Sequence, residues 1–388
     1  MIGKALFRMK KAVVDSSVLL LDWIVPKDDK LIIFGSAGGR SFNGNPRAVF
    51  EYVLENEEDY DPRIFLRRDV DLDNYGEDLR RRVVSDRTFA DLVTRLKART
   101  LVGAHGQADF GLATWSPRKN FIQLWHGRGT KNDGFTHDGY DAKMRRRLKR
   151  HNRLVTAFVT ASKIDSGEKA RTFDICDSKL HPLGYPRNDA LLRGDHPGVL
   201  CRMEDLPPHE KVVLYAPTFR PYGPAEFFPF DDFSLEGLNE FLERNSILLL
   251  TRRHINDEGG QSFEGERIVE MGFDTCPDVN DAFHDTDVLI TDYSSIFMDF
   301  LLLERPMIFV PYDLERYSSD RGFIYGAYDH WTPGPKVGTF EEFLEAIETA
   351  LAGCDPYQPV RRVFNTLFNA GQGSDSSKKV FELIERLL

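Results

Sequence analysis

The sequence predicts an α/β protein of two Rossmann-like domains facing each other across a cleft. Short apolar runs recur along both halves of the chain, of the kind found in parallel strands covered on both faces. Charged helical segments separate most of them, the alternation that builds parallel sheets. A stretch with two prolines and several charges, Met203 to Glu210, interrupts the series and reads as the interdomain linker. The chain then divides into an N-terminal amphipathic helix at 1–30, a first domain at 31–205, a second at 206–375 and a closing helix at 376–388.

In the first domain Leu31 to Phe34 is a strand, and GSAGGR after it is a glycine-rich turn. It enters a helix around Pro46 to Leu54, with Pro46 suited to the first turn. Ile64 to Leu66, Leu101 to Ala104, Phe121 to Leu124 and Ala157 to Thr160 are further strands, separated by helices such as Asp91 to Ala98. The second domain repeats this with Val212 to Tyr215, Ser246 to Thr251, Arg267 to Glu270, Val288 to Thr291 and Met307 to Val310. Val380, Phe381, Ile384, Leu387 and Leu388, at helical spacing, make the last segment a helix that caps one domain or bridges both.

Composition excludes several classes. With 388 residues and 41% hydrophobic content the chain builds real cores and is not disordered. Its 51 Lys and Arg against 61 Asp and Glu give a net charge of -10, which argues against general affinity for nucleic acid. Cys176, Cys201, Cys276 and Cys354 are scattered without metal-ligand spacing, so neither a disulfide framework nor a metal site is expected and a reducing cytoplasm fits. No run reaches the roughly 18 apolar residues of a membrane span. Lys4, Arg8, Lys10 and Lys11 precede an apolar stretch that Asp15 and Asp22 interrupt, which argues against a secretory signal. That segment either packs on the first domain or lies on an anionic membrane surface. Asp141 to Arg153 holds eight basic positions among thirteen. It is a solvated helix face, or it holds the enzyme to the inner face of the membrane at about 1 kcal/mol per Lys or Arg.

Chemistry-bearing residues cluster at strand ends. Ser294 and Ser295 follow Val288 to Thr291 and open an apolar helix that Glu304-Arg305-Pro306 stops. A helix start with unpaired N–H groups and serine hydroxyls suits a diphosphate. His126, beside Gly127, follows Phe121 to Leu124 at the carboxyl end of a strand, where ligand crevices form. An isolated WHG nevertheless fits a structural turn better than a base. Arg252, Arg253 and His254 follow another strand and suit phosphate oxygens, although a bare RRH is more often a solvated loop. Thr218 and Arg220 read equally as ligand contacts or as structure. Asp292 fixes its turn or touches a ligand hydroxyl. Asp299 and Glu304 reach ribose hydroxyls or play exposed and capping roles, and Lys131 and Asn132 lie beyond His126 toward one or the other of two ligands.

These residues carry a resemblance. GSAGGRSFNGNPRAV (Gly35 to Val49), QLWHGRGTKNDGF (Gln123 to Phe135), GYPRND (Gly184 to Asp189), LYAPTFR (Leu214 to Arg220), TRRHIND (Thr251 to Asp257) and the run Asp287 to Tyr317 occur in an order that resembles the CDP-glycerol glycerophosphotransferase family of teichoic acid and capsule polymer synthesis. The resemblance implies the two-domain architecture called GT-B, a CDP-glycerol or CDP-ribitol donor, a lipid-linked or polymeric acceptor, release of CMP, and no cofactor. His126 corresponds to the family's essential N-domain histidine, though Arg128 and Gly129 stand where relatives often carry Thr and Pro. An R-x-H type motif implicates His254, with Arg253 or Arg252 as its arginine, and gives them the leaving phosphate. Ser294 and Ser295 then hold the diphosphate. Two other readings are a GT-B sugar transferase, which would release a nucleoside diphosphate, and a non-catalytic nucleotide- or polymer-binding protein on the same scaffold.

Overall fold

The structure is a computed structural model describing residues 2–73, 75–195, 198–220, 222–253, 263 and 265–388, with the backbone alone for 2–12. The chain forms two compact units, the first of residues 1–126, 134–189 and 371–388, the second of 127–133 and 190–370.

The first unit holds β1 (Asp28–Gly35), β2 (Asp61–Phe65), β3 (Val83–Val84), β4 (Ala98–Gly103), β5 (Asn120–Gln123), β6 (Ala157–Thr160) and β7 (Leu180–Pro182), in spatial order 3-2-1-4-5-6-7. The second holds β8 (Lys211–Tyr215), β9 (Ile247–Thr251), β10 (Ile268–Glu270), β11 (Val288–Thr291) and β12 (Met307–Phe309), in order 10-9-8-11-12. Every strand pairing is parallel. In each sheet the order reverses once, at β1/β4 and at β8/β11. Crossovers leave in opposite directions from such a point, so the loops at the carboxyl ends of those strands open a crevice. The topology thus marks one place in each unit for a ligand.

Burial follows the two-residue period of a sheet covered on both faces. Ile32 and Phe34 face Val49, Phe50 and Val53 of the helix Gly44–Asn56, whereas Leu31 and Ile33 face Phe110, Trp115 and Phe121. In the second unit Val212 and Leu214 join Phe297, Phe300 and Trp331, while Val213 and Tyr215 join Phe228, Leu242 and Phe343. Each such side chain contributes about 1.5–3 kcal/mol of hydrophobic stabilisation.

β3 and β7, absent from the sequence reading, are edge strands too short to carry a pattern, and β7 tolerates Pro182 because an edge strand need not donate on its outer side. The closing helix Ser376–Leu387 belongs to the first unit, where Val380, Phe381 and Ile384 are buried. The Asp189 carboxylate accepts the N–H groups of Ser376 and Ser377 at its start, at 2.9 and 2.7 Å. The second unit begins at Ala190 rather than after Met203, because Leu191 and Val199 are buried in its core. The N-terminal helix Ile2–Ile24 ends earlier than expected and is anchored by buried Asp22, which binds Lys27 at 2.9 Å, Lys119 at 3.3 Å and the N–H of Ser116 at 2.8 Å. Desolvation raises the Asp22 carboxyl, but Lys119, Ser116 and Lys27 outweigh it and hold it below its usual value. Among the described residues no helix is long and apolar enough to cross a membrane.

Candidate functional site

At the β1/β4 switch point the loops after both strands are tied together by one carboxylate. Buried Asp109 accepts the N–H groups of Ala104 (2.9 Å), His105 (2.5 Å) and Gly106 (3.1 Å) on one oxygen and of Gly38 (2.8 Å) on the other. The glycine-rich turn is thereby fixed against the loop after β4. The adjacent strand β5 ends at Gln123, and after Leu124 the backbone turns sharply: Trp125 takes φ 55° and Gly127 φ 116°. A left-handed tryptophan is strained, and something must hold it. Asn45 does so, its side-chain amide donating to the carbonyls of Leu124 (3.3 Å) and Trp125 (3.1 Å) while its oxygen accepts the N–H of Arg187 at 3.1 Å.

The strained turn presents His126 in a column of rings. Trp125 lies 4.4 Å from His126 and 4.5 Å from Phe173, and His105 stacks on His126 at 4.6 Å with an interplanar angle of 6°. His126 keeps an exposed edge and hydrogen bonds to the backbone of Ala104. Its basicity lies well below that of a free imidazole, first because surrounding protein desolvates it and then because His105, Lys169 and Arg187 disfavour added positive charge; the Ala104 bond opposes them. The ring is neutral at pH 7. A neutral imidazole keeps one unprotonated nitrogen, the state a proton acceptor needs.

In the second unit Thr218, after β8, donates its N–H to Asp292, at the end of β11, across the switch point. Asp292 is buried and pairs with Arg220 at 2.8 Å. Arg220 also makes a two-point pair with Asp313 (2.7 and 2.9 Å), donates to the Thr218 carbonyl at 2.5 Å, and lies against the rings of Tyr293, Tyr312 and Tyr317. Its donors are consumed inside the protein, so the expectation that it touches the donor is replaced by a framing role. Asp292 is likewise a frame, since its oxygens hold Thr218 and Arg220 and accept the Tyr293 N–H. The Thr218 hydroxyl, by contrast, is buried without a hydrogen-bond partner.

Lys131 belongs to this unit through the segment 127–133, which hydrogen bonds to it by Thr130 to the Tyr293 carbonyl (2.9 Å) and by the Asn132 N–H to Gly322 (3.3 Å). Its ammonium lies 5.6 Å from the centre of the Tyr317 ring. Desolvation pushes Lys131 down to about 8, with Asp292 pulling it up and Arg321 and Arg220 pushing it further down.

Ser294 and Ser295 precede a helix of only five residues, Ile296–Phe300, that tightens into the turn Leu301–Leu303. The expected hydroxyl cap is not formed: Ser295 takes helical dihedrals without a side-chain cap bond, and Ser294 meets the Ile296 N–H only at 3.5 Å. The half-buried hydroxyls are therefore not spent on the helix, and a helix this short contributes little dipole. Asp299 is buried in that helix, not exposed. Glu304 ends the turn at φ 54° and pairs with Arg362 at 3.0 Å, away from a ribose role. Arg253 pairs with Glu270 at 3.2 Å and stacks on Phe227. His254 lies outside the described residues.

Sequence reasoning missed Asn45, His105, Asp109, Tyr293 and Asp313. A signal for His105 was present: AHG after β4 repeats the strand-His-Gly order of WHG after β5.

Comparison with known proteins identifies the family. The sequence model of the CDP-Glycerol:Poly(glycerophosphate) glycerophosphotransferase family matches residues 17–386. A teichoic acid poly(glycerol phosphate) polymerase of Bacillus spizizenii is 28% identical over 395 residues, covering 95% of both chains. A teichoic acid glycerol-phosphate transferase of Staphylococcus aureus is 26% identical over 379 residues, covering 91% of this chain and 92% of its own. The solved structure of the wall teichoic acid polymerase TagF superposes with a TM-score of 0.79 at 22% identity, over 99% of this chain and 97% of that one. The chain belongs to the CDP-glycerol:poly(glycerophosphate) glycerophosphotransferase family.

Proposed function

We propose that His126 is the general base of alditol-phosphate transfer and that the strand-end loops of the second unit hold the donor. The acceptor hydroxyl oxygen attacks the phosphorus bearing the alditol, its proton passes to the unprotonated nitrogen of His126, a new P–O bond forms, and the P–O bond to CMP breaks. Charge spreads over the phosphoryl oxygens, so the protein's task is positioning and neutralisation. The observation that carries the base role is the placement of His126, exposed at the strained turn after β5 and stacked on His105, where desolvation holds its ring neutral.

On the donor side Lys131, Ser294, Ser295 and the unpartnered Thr218 hydroxyl supply a cation and hydroxyl donors, with Arg253 toward the leaving phosphate. Arg220 and Asp292 shape the loops without touching substrate. The donor is CDP-glycerol or CDP-ribitol and the acceptor is lipid-linked or polymeric. The enzyme works in the cytoplasm on the inner face of the membrane. Exposed Val13, Leu20 and Ile24, at helical spacing, support an apolar face for that surface, and the helix Ala142–Asn152 supplies positive charge.

The test is to incubate purified protein with CDP-glycerol and CDP-ribitol in turn, with a lipid-linked acceptor, and to measure CMP. His126→Asn is expected to lower kcat by about 10²–10⁴-fold. A folded variant that transfers at near wild-type rate would remove the base assignment.

A further inference from the structure

We propose that His105 is a positioning residue that acts through His126: stacked face to face on the base, it fixes the plane of that ring and screens it from water, so that the base stays neutral until it takes the acceptor's proton. The inference rests on the base reading of His126.

Three observations support it. The rings are 4.6 Å apart and within 6° of parallel, so His105 stacks on His126, and the Trp125 ring also stacks on it at 4.4 Å. The Ala37 N–H donates to Nδ1 of His105 at 3.1 Å. A backbone N–H can only donate, so that nitrogen holds a lone pair and the ring proton sits on Nε2. Protonating Nδ1 would set two donors against each other, which keeps His105 neutral while His126 takes up a proton. Strain also collects here, since Ala37 takes φ 48° and Trp125 φ 55° on the two sides of the pair.

The charged neighbours leave this assignment in place. Asp109 Oδ1 lies 3.9 Å from Nδ1 of His105 and favours its cation, but the carboxylate already accepts four backbone N–H groups. Desolvation lowers the basicity of His105 despite Asp109. His151, from the helix Ala142–Asn152, binds Gln107 at 2.9 Å and is itself held below its ordinary value by desolvation. Lys169 and Arg187 disfavour charge on His126 from the remaining sides.

The experiment compares wild type with His105→Ala and His105→Phe, using kcat, donor KM, and the nitrogen-15 NMR titration of the His126 ring, assigned with His126→Asn. His105→Ala is expected to lower kcat by about 10- to 100-fold with donor KM nearly unchanged, and to raise the His126 midpoint toward that of a free imidazole. His105→Phe keeps a flat ring on the stack and is expected to recover part of kcat. If His105→Ala leaves both the His126 midpoint and kcat unchanged while His126→Asn is inactive, the inference fails and the base reading stands. If His126→Asn stays active, the base reading fails and takes the inference with it.

Discussion

The backbone N–H of Thr218 donates to both carboxylate oxygens of Asp292, at 2.9 and 3.1 Å, and so ties the loop after β8 to the end of β11. The first unit uses the same device, with the Gly38 N–H donating to Asp109 between the loops after β1 and β4. In each sheet a buried aspartate sits where the strand order reverses and holds the neighbouring loop by its amide. The crevice that topology opens is thereby given a fixed shape.

Asp109→Asn tests this bracing. An amide keeps one acceptor oxygen but turns an N–H₂ toward backbone donors, leaving at least one buried N–H unpaired. The expected cost is about 3 kcal/mol, read from urea unfolding, together with a lower kcat because the loop carrying His105 loosens. Unchanged stability would show that the loops hold themselves.

Arg220 gives a second expectation. Arg220→Met leaves Asp292 and Asp313 buried without their cation, a loss of about 3–5 kcal/mol at pH 7. The sign of the pH dependence follows: unpaired buried carboxylates have raised pKa values in the folded variant, so folding takes up protons and the deficit shrinks as pH falls toward 5. Arg220→Lys retains charge but not the two-point geometry and is expected to lose less. Unfolding curves at pH 7 and pH 5 check both statements.

The fold was legible because buried parallel strands announce themselves as apolar runs, and the site was partly legible because its residues sit just after them. His126, Thr218 and Asp292 could be found this way. Their division of labour could not, because Arg220 reads in sequence equally as a ligand contact or as structure, and only packing shows its donors engaged by Asp292, Asp313 and the Thr218 carbonyl. Asn45 and Asp109 act on backbone groups far along the chain, up to 142 residues away for Asn45 and 71 for Asp109, and no local pattern encodes such partners. Unit membership was hidden for the same reason: Ser376–Leu387 shows its apolar stripe in sequence, but not which sheet buries it.

Lys131 carries a pH prediction. Its ammonium, pushed down to about 8 by desolvation, is the form that binds phosphate, so donor KM is expected to rise above pH 8 in the wild type. Lys131→Arg stays charged and should flatten that limb through pH 10, whereas Lys131→Met should raise KM about 10-fold or more at pH 7. Stability moves in the opposite sense. The folded value lies below the unfolded one, near 10.4, so folding releases a proton between these values and stability rises with pH across about 8 to 10.4. Donor KM measured from pH 6 to 10 on the three proteins decides; a wild-type limb that Lys131→Arg leaves in place belongs to another group.

Asn45 separates placement of the base from its chemistry. Its amide nitrogen donates to the carbonyls of Leu124 and Trp125, which holds the left-handed turn presenting His126. Asn45→Ala is expected to lower kcat by up to about 10²-fold while donor KM stays nearly constant, since the donor loops belong to the other unit. Asn45→Asp sharpens the test. A carboxylate still accepts the Arg187 N–H but cannot donate to two carbonyls and repels them, so Asp is expected to be at least as damaging as Ala. If Asn45→Asp restores activity instead, the contact that matters is the one to Arg187, and the turn at Trp125 keeps its strain by other means.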